Sequence, residues 1–575
     1  MAKSGPHGPR YKRVAKEKAT GVTYTPRELA DFVATEMLRG WRAPKPATLR
    51  VLDPAVGEGA LLVSLLKKLP HGMAAEVHGF ESSNTALRTA SERLEHCYPK
   101  GVRHLIKRDF LAFVLNGSRG TVAQRGLFDE SPSETFDLII ANPPYVRTQI
   151  IGSKMARALA RQFHLDGRVD LYHAFVVAIA SVLRPRGRAG IIVSNRFMTT
   201  KAGASLRRVI RTRFNLLHVW DLGDTKIFDA AVLPAVLIVE GLDAADEGGH
   251  PRFTSIYETT DACNKSVTSV TAALENSGVV AVSDGRRFRV EHGVLDDRGG
   301  IWRVATEESD AWVATVRKHT WANFRQLGKI RVGVKTCADD IFIRQDWSQL
   351  PPRERPELLR PLTTHHIGRR FRADSARGLR EILYPHECAN GKRRPVDLTK
   401  YPRSREYLEG FRARLEARSY VLEAGRRWYE IWVPQDPDAW SCKKLVFRDI
   451  AEKPCFWIDE EGMVVNGDCY WLSCDRQGDE ELLWLAIGIA NSTFAEAFYD
   501  RLFNNKLYAG RRRFMTQYVE KFPLPDPQTP LARRIMATAK AIYEGLGTSR
   551  RGPSERTLDN LVWSAFGLPV EEISR

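Results

Sequence analysis

Phe136-Asp137-Leu138-Ile139-Ile140-Ala141-Asn142-Pro143-Pro144-Tyr145 is the stretch from which the fold can be read. Its first six residues are a short apolar run of the kind that forms a strand buried on both faces. The polar tetrapeptide Asn142 to Tyr145 therefore lies at that strand's carboxyl end, the edge at which open α/β sheets bind ligands. Two successive prolines offer no backbone donor and hold the residues before them extended, which sets Asn142 on a stiff, non-helical turn. The Asn142 amide oxygen and the Pro143 carbonyl are then two acceptors side by side, next to the Tyr145 ring. Such a pair suits a flat group carrying an NH₂, such as the exocyclic amine of a nucleobase, with Tyr145 as a stacking face. Taken alone, the tetrapeptide serves equally well as a Pro-Pro turn at a strand end, with Asn142 as its turn residue.

Upstream, Leu49-Arg50-Val51-Leu52 reads as a first strand, and Asp53-Pro54-Ala55-Val56-Gly57-Glu58-Gly59 turns it into a helix over Ala60 to Leu69. A glycine-bearing strand-to-helix turn is the usual place for a nucleotide cofactor. Gly57 and Gly59 are followed by Leu62 where the dinucleotide fingerprint has its third glycine. Asp53 and Glu58 would repel a pyrophosphate. A cofactor with a cationic amino-acid end and no phosphate fits better, and S-adenosylmethionine has that character. The next strand, Ala75 to Phe80, ends in Glu81, 22 residues beyond Gly59, where an acid binds ribose hydroxyls. A third strand, His104 to Lys107, ends in Asp109-Phe110, placed to bracket an adenine, one residue accepting from its amino group and the other packing on its face. Nearer the amino terminus, Thr25 with Glu28 reads as a capping box around Pro26, and Leu29, Phe32, Val33 and Met37 fall on one helical face.

Downstream, helices over Asp170 to Leu183 and Ala202 to Phe214 alternate with strands at Ala189 to Ser194, His218 to Leu222 and Ala235 to Glu240, completing seven strands. That alternation predicts a doubly wound α/β domain over residues 21–245, with helices on both faces of a mostly parallel sheet. Phe228 lies in the loop between the last two strands and suits a core position. The acidic, glycine-containing tract Asp243 to Gly249 marks the expected boundary. Residues 246–545 read as a mixed α+β domain, residues 1–20 as a basic arm and residues 546–575 as a carboxyl-terminal extension.

The 575-residue chain carries a formal charge of +18, which points to a polyanionic partner. The charge is uneven: residues 351–400 hold 12 Lys/Arg against 6 Asp/Glu, residues 501–550 hold 10 against 3, and residues 451–500 hold 2 against 11. Arginines interleave with aromatics at Ile301-Trp302-Arg303, Arg369-Arg370-Phe371-Arg372, Arg426-Arg427-Trp428-Tyr429 and Arg511-Arg512-Arg513-Phe514, a pattern suited to a nucleic-acid face. No apolar run reaches membrane-spanning length and Met1 to Thr20 is basic and polar, so a cytoplasmic protein is expected. The eight cysteines include no Cys-x-x-Cys pair, and no metal site is expected.

In order and spacing these motifs resemble the DNA adenine-N6 methyltransferases of restriction-modification systems, in the γ arrangement, with the target-recognition domain last. Asn142 to Tyr145 matches the family's catalytic Asn-Pro-Pro-Tyr in full. The resemblance implies a class I methyltransferase sheet followed by a DNA-recognition domain. It implies S-adenosylmethionine as cofactor, held by Thr25, Asp53, Gly57, Gly59, Glu81, Asp109 and Phe110. Asn142, Pro143 and Tyr145 would be catalytic, and Tyr145 and Phe228 would stack on a flipped-out adenine of double-stranded DNA. A monomer is expected, with any cognate restriction endonuclease a separate chain. Cytosine-N4 methylation and a catalytically inactive DNA-binding subunit are the alternatives. Cytosine carbon-5 chemistry needs a cysteine nucleophile, and the sole Pro-Cys pair, Pro454-Cys455, falls far downstream.

Overall fold

The computed structural model describes residues 25–42, 48–70, 72–99, 101–117, 135–146, 153–166, 169–227, 233–243, 249–298, 300–476, 478–503, 511–546 and 553–569. The expected basic arm and Phe228 lie outside the described residues. The chain forms two compact units divided between Thr306 and Glu307.

The first unit is built on one sheet of β1 (Leu49–Asp53), β2 (Ala75–Glu81), β3 (Val102–Lys107), β4 (Phe136–Ala141), β5 (Leu183–Ser194), β6 (Phe214–Asp221) and β7 (Pro234–Gly241), in the order 3-2-1-4-5-7-6. Strands β1 to β5 pair in parallel, whereas β7 runs antiparallel between β5 and β6. The strand order reverses at β1 and β4, so the crevice at their carboxyl ends is where this topology binds ligands. Every residue of β4 is buried. Even Asp137 is internal, accepting from Arg50 N (2.8 Å) and pairing with Arg184 Nη1 (2.7 Å).

Helices cover both faces. On one, α1 (Arg27–Leu38) and α2 (Ala60–Lys68) pack Leu29, Val33, Leu62 and Leu65 against Val51, Leu138 and Ile140. Beside α2 lies α3 (Asn84–Cys97), capped by the Ser83 side chain. On the other face, α4 (Phe110–Gly117), α5 (Ser153–Gln162), α6 (Leu171–Val182) and α7 (Ala204–Arg213) enclose Phe110, Leu159, Phe175, Ile179 and Leu206 with Leu52, Phe136 and Ile139. Every second strand residue thus meets the opposite helical layer, as the period of two requires.

The sheet does not stop at the acidic tract. Beyond it, β8 (Arg252–Glu258) pairs in parallel with β6, and β9 (Ser266–Val267), β10 (Gly278–Val282), β11 (Arg287–Asp296) and β12 (Arg303–Ala305) continue the sheet to twelve strands among the described residues. The expected boundary at 245 is therefore corrected to Thr306.

The second unit holds a five-stranded sheet, including Lys444–Arg448 between Phe456–Asp459 and Cys469–Leu472, and a four-stranded sheet. Trp347, Trp440, Trp457 and Trp471 fill the core between them. Lys444 Nζ lies 2.7 Å from Asp459 Oδ2, both side chains buried. The residues expected as a separate extension belong here: helix Glu555–Ala565 sets Leu558 and Trp563 into the interior, and Trp563 donates to Thr493 Oγ1 (2.8 Å). In the arginine-aromatic clusters, including Trp302-Arg303 of the first unit, most rings are internal, while of the arginines only Arg303 and Arg512 are buried. Trp302, Phe371, Tyr429 and Phe514 are buried, Arg512 pairs with Glu496 and Asp500, and Arg513 pairs with Asp449. Among the described residues no single helix is long and apolar enough to cross a membrane.

Candidate active site

The loops at the carboxyl ends of β1, β2, β3 and β4, with the entry to α1, converge on a cavity of about 330 Å³, a size typical of small-ligand sites. Gly57 (φ 52°) and Gly59 (φ 83°) of the first loop occupy the left-handed region. A Cβ on Gly59 would stand 3.2 Å from Ala90 Cα, so glycine is what lets the loop lie against α3. The loop is tied to the end of β2, because Gly57 N donates to Glu81 Oε2 (3.1 Å), while Ser83 N donates to Glu81 Oε1 (2.8 Å). Ser82 Oγ also donates to Glu81 Oε1 (3.2 Å), and since a carboxylate offers about four lone-pair positions, Glu81 retains capacity for one further donor. Asp109 accepts from Leu111 N (2.8 Å) at the start of α4. The Phe110 ring lines the cavity and packs against Phe80 and Phe175, with centroids 5.5 and 5.8 Å away.

The two acids of the glycine loop differ sharply. Glu58 is answered by Arg93, whose Nη2 lies 2.8 Å from Glu58 Oε2. Asp53 is 1% exposed and pairs with no cation among the described residues. Its Oδ1 accepts from Ala55 N (3.0 Å), and its Oδ2 is buried without a hydrogen-bond partner among the described residues. Burial pushes the Asp53 carboxyl up to about 7, the Ala55 N–H opposing the shift and the Glu81 charge adding to it. An orphaned buried carboxylate oxygen, with the acids Glu81 and Asp109 on the cavity wall and no cation on the glycine loop, fits a nucleoside whose amino-acid end carries an ammonium.

At the end of β4, Asn142 Nδ2 donates to Thr25 Oγ1 (2.9 Å), and Asn142 Oδ1 accepts from the Tyr145 hydroxyl (2.8 Å). Asn142 and Pro144 line the cavity together with Thr25, Gly57, Glu81, Asp109 and Phe110. Asp53, Gly59, Pro143 and Tyr145 do not line it. The Tyr145 ring approaches Tyr172 at 6.1 Å, and burial drives its hydroxyl well above the ordinary tyrosine range.

The expected Thr25–Glu28 capping box does not form. The helix begins at Arg27 with Pro26 as its cap, so Glu28 is the second helical residue and not the third. Glu28 Oε1 instead accepts from Thr271 N (3.0 Å) and Thr271 Oγ1 (2.6 Å), and Thr25 turns to Asn142. Sequence reasoning missed the lining residues Arg93, Arg108, Leu171 and Phe175. The i, i+4 spacing of Leu171 and Phe175 on an apolar helix was the available signal. Elsewhere on the sheet Glu76 Oε1 lies 3.1 Å from both His78 Nε2 and His104 Nε2, with Arg50 Nε 3.8 Å from Glu76 Oε2 supplying a cation to the cluster.

Residues 81–228 match the Eco57I restriction-modification methylase family. The chain is 36% identical over 577 residues to the type II methyltransferase M.BanIII of Aneurinibacillus aneurinilyticus, covering 96% of this chain and 98% of that protein. It is 25% identical over 546 residues to the type II methyltransferase M.PaeR7I of Pseudomonas aeruginosa, covering 91% of this chain and 89% of that protein. Among solved structures, the cryo-EM structure of a DrdV–DNA complex shares the fold, with a TM-score of 0.53 and 12% identity over 93% of this chain and 58% of that one.

Proposed function

The chain belongs to the type II methyltransferases of restriction-modification systems, and from that premise we propose that it methylates the N6 amine of an adenine swung out of double-stranded DNA, using S-adenosylmethionine. One observation carries this reading: Asn142 and Pro144 open onto the same cavity as Gly57, Glu81 and Asp109. When bound, S-adenosylmethionine supplies a methyl carbon activated by a sulfonium leaving group. Asp53, immediately before the lining residues Pro54 and Ala55, would hold its ammonium, Glu81 its ribose hydroxyls and Asp109 its adenine amine.

The target amine is a poor nucleophile while its lone pair is spread into the ring of a paired base. Extruding the base costs a few kcal/mol, which stacking on an aromatic ring offsets by about 1 to 3 kcal/mol per contact. The Asn142 amide oxygen and the Pro143 carbonyl then accept from the N6 hydrogens. Positive charge grows on nitrogen as it attacks, so acceptors fixed in advance stabilise the transition state more than the ground state. The rigid Pro143-Pro144 turn supplies that fixity.

The second unit would read the DNA sequence. With many arginines engaged internally, its cationic face is better sought on the hairpin of strands His386–Ala389 and Lys392–Pro395, where Lys392, Arg393 and Arg394 are exposed. A basic β-ribbon is a known means of entering a groove. The protein would act in the cytoplasm as a monomer, protecting host DNA from a separately encoded endonuclease.

The test is nucleoside mass spectrometry of plasmid DNA incubated with the purified protein and labelled S-adenosylmethionine. N6-methyladenine is the expected product. N4-methylcytosine would replace the base assignment. Salt-dependent binding without incorporation on any sequence would mark an inactive DNA-binding subunit.

A further inference from the structure

Strand pairing assembles a group of side chains that no spacing along the chain announces. Strands β2 and β3 run in parallel with His78 opposite His104, and Glu76, two residues before His78, falls on the same face of β2. Glu76 Oε1 lies 3.1 Å from His78 Nε2 and 3.1 Å from His104 Nε2, and all three atoms lie within 4.8 Å of one another. Zinc holds imidazole nitrogen and carboxylate oxygen at about 2.0 to 2.2 Å. With arms of that length, ligand atoms 3.1 Å apart subtend roughly 90 to 100° at the ion, within reach of both octahedral and tetrahedral arrangements. The rings are also held in place. His78 packs edge-on against Phe136, with centroids 5.1 Å apart, and lies 4.8 Å from the His104 ring. The other carboxylate oxygen, Glu76 Oε2, is 3.8 Å from Arg50 Nε, the kind of outer partner that orients a ligating carboxylate.

We infer that Glu76, His78 and His104 form a binding site for a divalent transition-metal ion of the zinc class. Two imidazoles and one carboxylate suit zinc, cobalt or nickel, whereas magnesium and calcium favour shells of oxygen alone. The His104 side chain is 46% exposed, so water completes the coordination. The ion joins β3, the edge strand, to β2, the two strands that lead to Asp109 and Glu81. His78 stands three residues before Glu81, about 10 Å along the strand, so the ion braces the cofactor-binding acids without touching the cofactor. The Arg50 charge repels a dication, and the site therefore fills on titration and does not hold its ion through purification.

The test uses the full untagged chain, stripped with a chelator, and Co²⁺ as the probe, read by visible d–d absorption and by the Tm with and without the ion. The wild type should show a saturable band and a raised Tm. His104→Ala changes a half-exposed side chain and should fold normally, yet weaken Co²⁺ binding by at least about tenfold, the lower end of what losing even an outer partner of a metal site costs. Glu76→Gln should weaken it on the same scale. Both variants should bind S-adenosylhomocysteine like the wild type when metal is absent. A wild type that gives no band with excess Co²⁺ overturns the site. Binding that either variant leaves unchanged also overturns it, and a thiolate charge-transfer band would then place the ion at Cys388, Asp436 and Asp438, which also come together.

Discussion

Asp53 should make cofactor affinity depend on pH in a calculable way. Its carboxyl is raised from an ordinary value of 3.8 to about 7 in the folded protein, first by burial. A shift of about three units corresponds to roughly 4 kcal/mol between the two protonation states, at about 1.4 kcal/mol per unit. The sign follows from an acid whose folded value is raised. The ionised form is disfavoured in the native state, so a destabilisation absent below about 3.8 grows as pH rises and is complete above about 7. A ligand ammonium beside Oδ2 removes it by favouring the carboxylate. Binding below pH 7 must therefore expel a proton. With a titration near 7 the apparent Kd for S-adenosylhomocysteine should be about tenfold weaker at pH 6 than at pH 8. Isothermal titration calorimetry between pH 6 and 8.5 in buffers of different ionisation enthalpy measures both the slope and the proton released. Asp53→Asn should flatten the profile, weaken binding at pH 8 and stabilise the cofactor-free protein. An unchanged slope in Asp53→Asn would refute the assignment, and so would a flat wild-type profile.

Asn142→Ala should slow single-turnover methylation by about 10² to 10³-fold, on the scale of losing one preorganised hydrogen-bonding group, with S-adenosylhomocysteine affinity nearly unchanged. A loss below tenfold would remove Asn142 from the chemistry. Gly59→Ala forces a Cβ at φ 83° against Ala90 and should cost about 1 to 2 kcal/mol, seen as a lower urea midpoint together with weakened cofactor binding; unaltered values of both would show that the loop gives way freely. Lys444→Met removes the cation from a buried pair with Asp459 and should destabilise the second unit by about 3 to 5 kcal/mol, read by chemical denaturation, while a change under 1 kcal/mol would mean that water or another cation reaches Asp459.

What the sequence showed and what it hid follow from the range of the interactions. Strand β4 and its tetrapeptide were legible because a fully apolar run ending in Pro-Pro has few alternatives, and the glycine loop because its chain reversal is local. The antiparallel insertion of β7 between β5 and β6 depends on pairing between distant segments, which periodicity does not report. The tract 243–249 looks like a boundary by composition, yet β8 continues the sheet beside β6. The arginine-aromatic clusters misled for a related reason. Composition cannot distinguish an exposed guanidinium from one such as Arg512, held internally by Glu496 and Asp500. At Thr25 the capping pattern and the helix differ by a single residue of register, and that residue separates a helix cap from a partner of Asn142. The sequence marks Asp53 as an acid, but only the fold reveals that Arg93 answers Glu58 while Asp53 meets no cation among the described residues.

The bonds from Glu28 to Thr271 fasten the start of α1, next to Thr25, to a segment more than two hundred positions later in the chain. Anyone swapping sequence specificity between relatives by splicing would be tempted to cut at the acidic tract. Such a chimera would bring in a foreign version of the strands that anchor its own methylating half, and would strip the edge of β6 if they failed to match. A junction after Thr306 keeps both fasteners on the same parent, because Glu28, Thr271 and strands β8 to β12 all precede it.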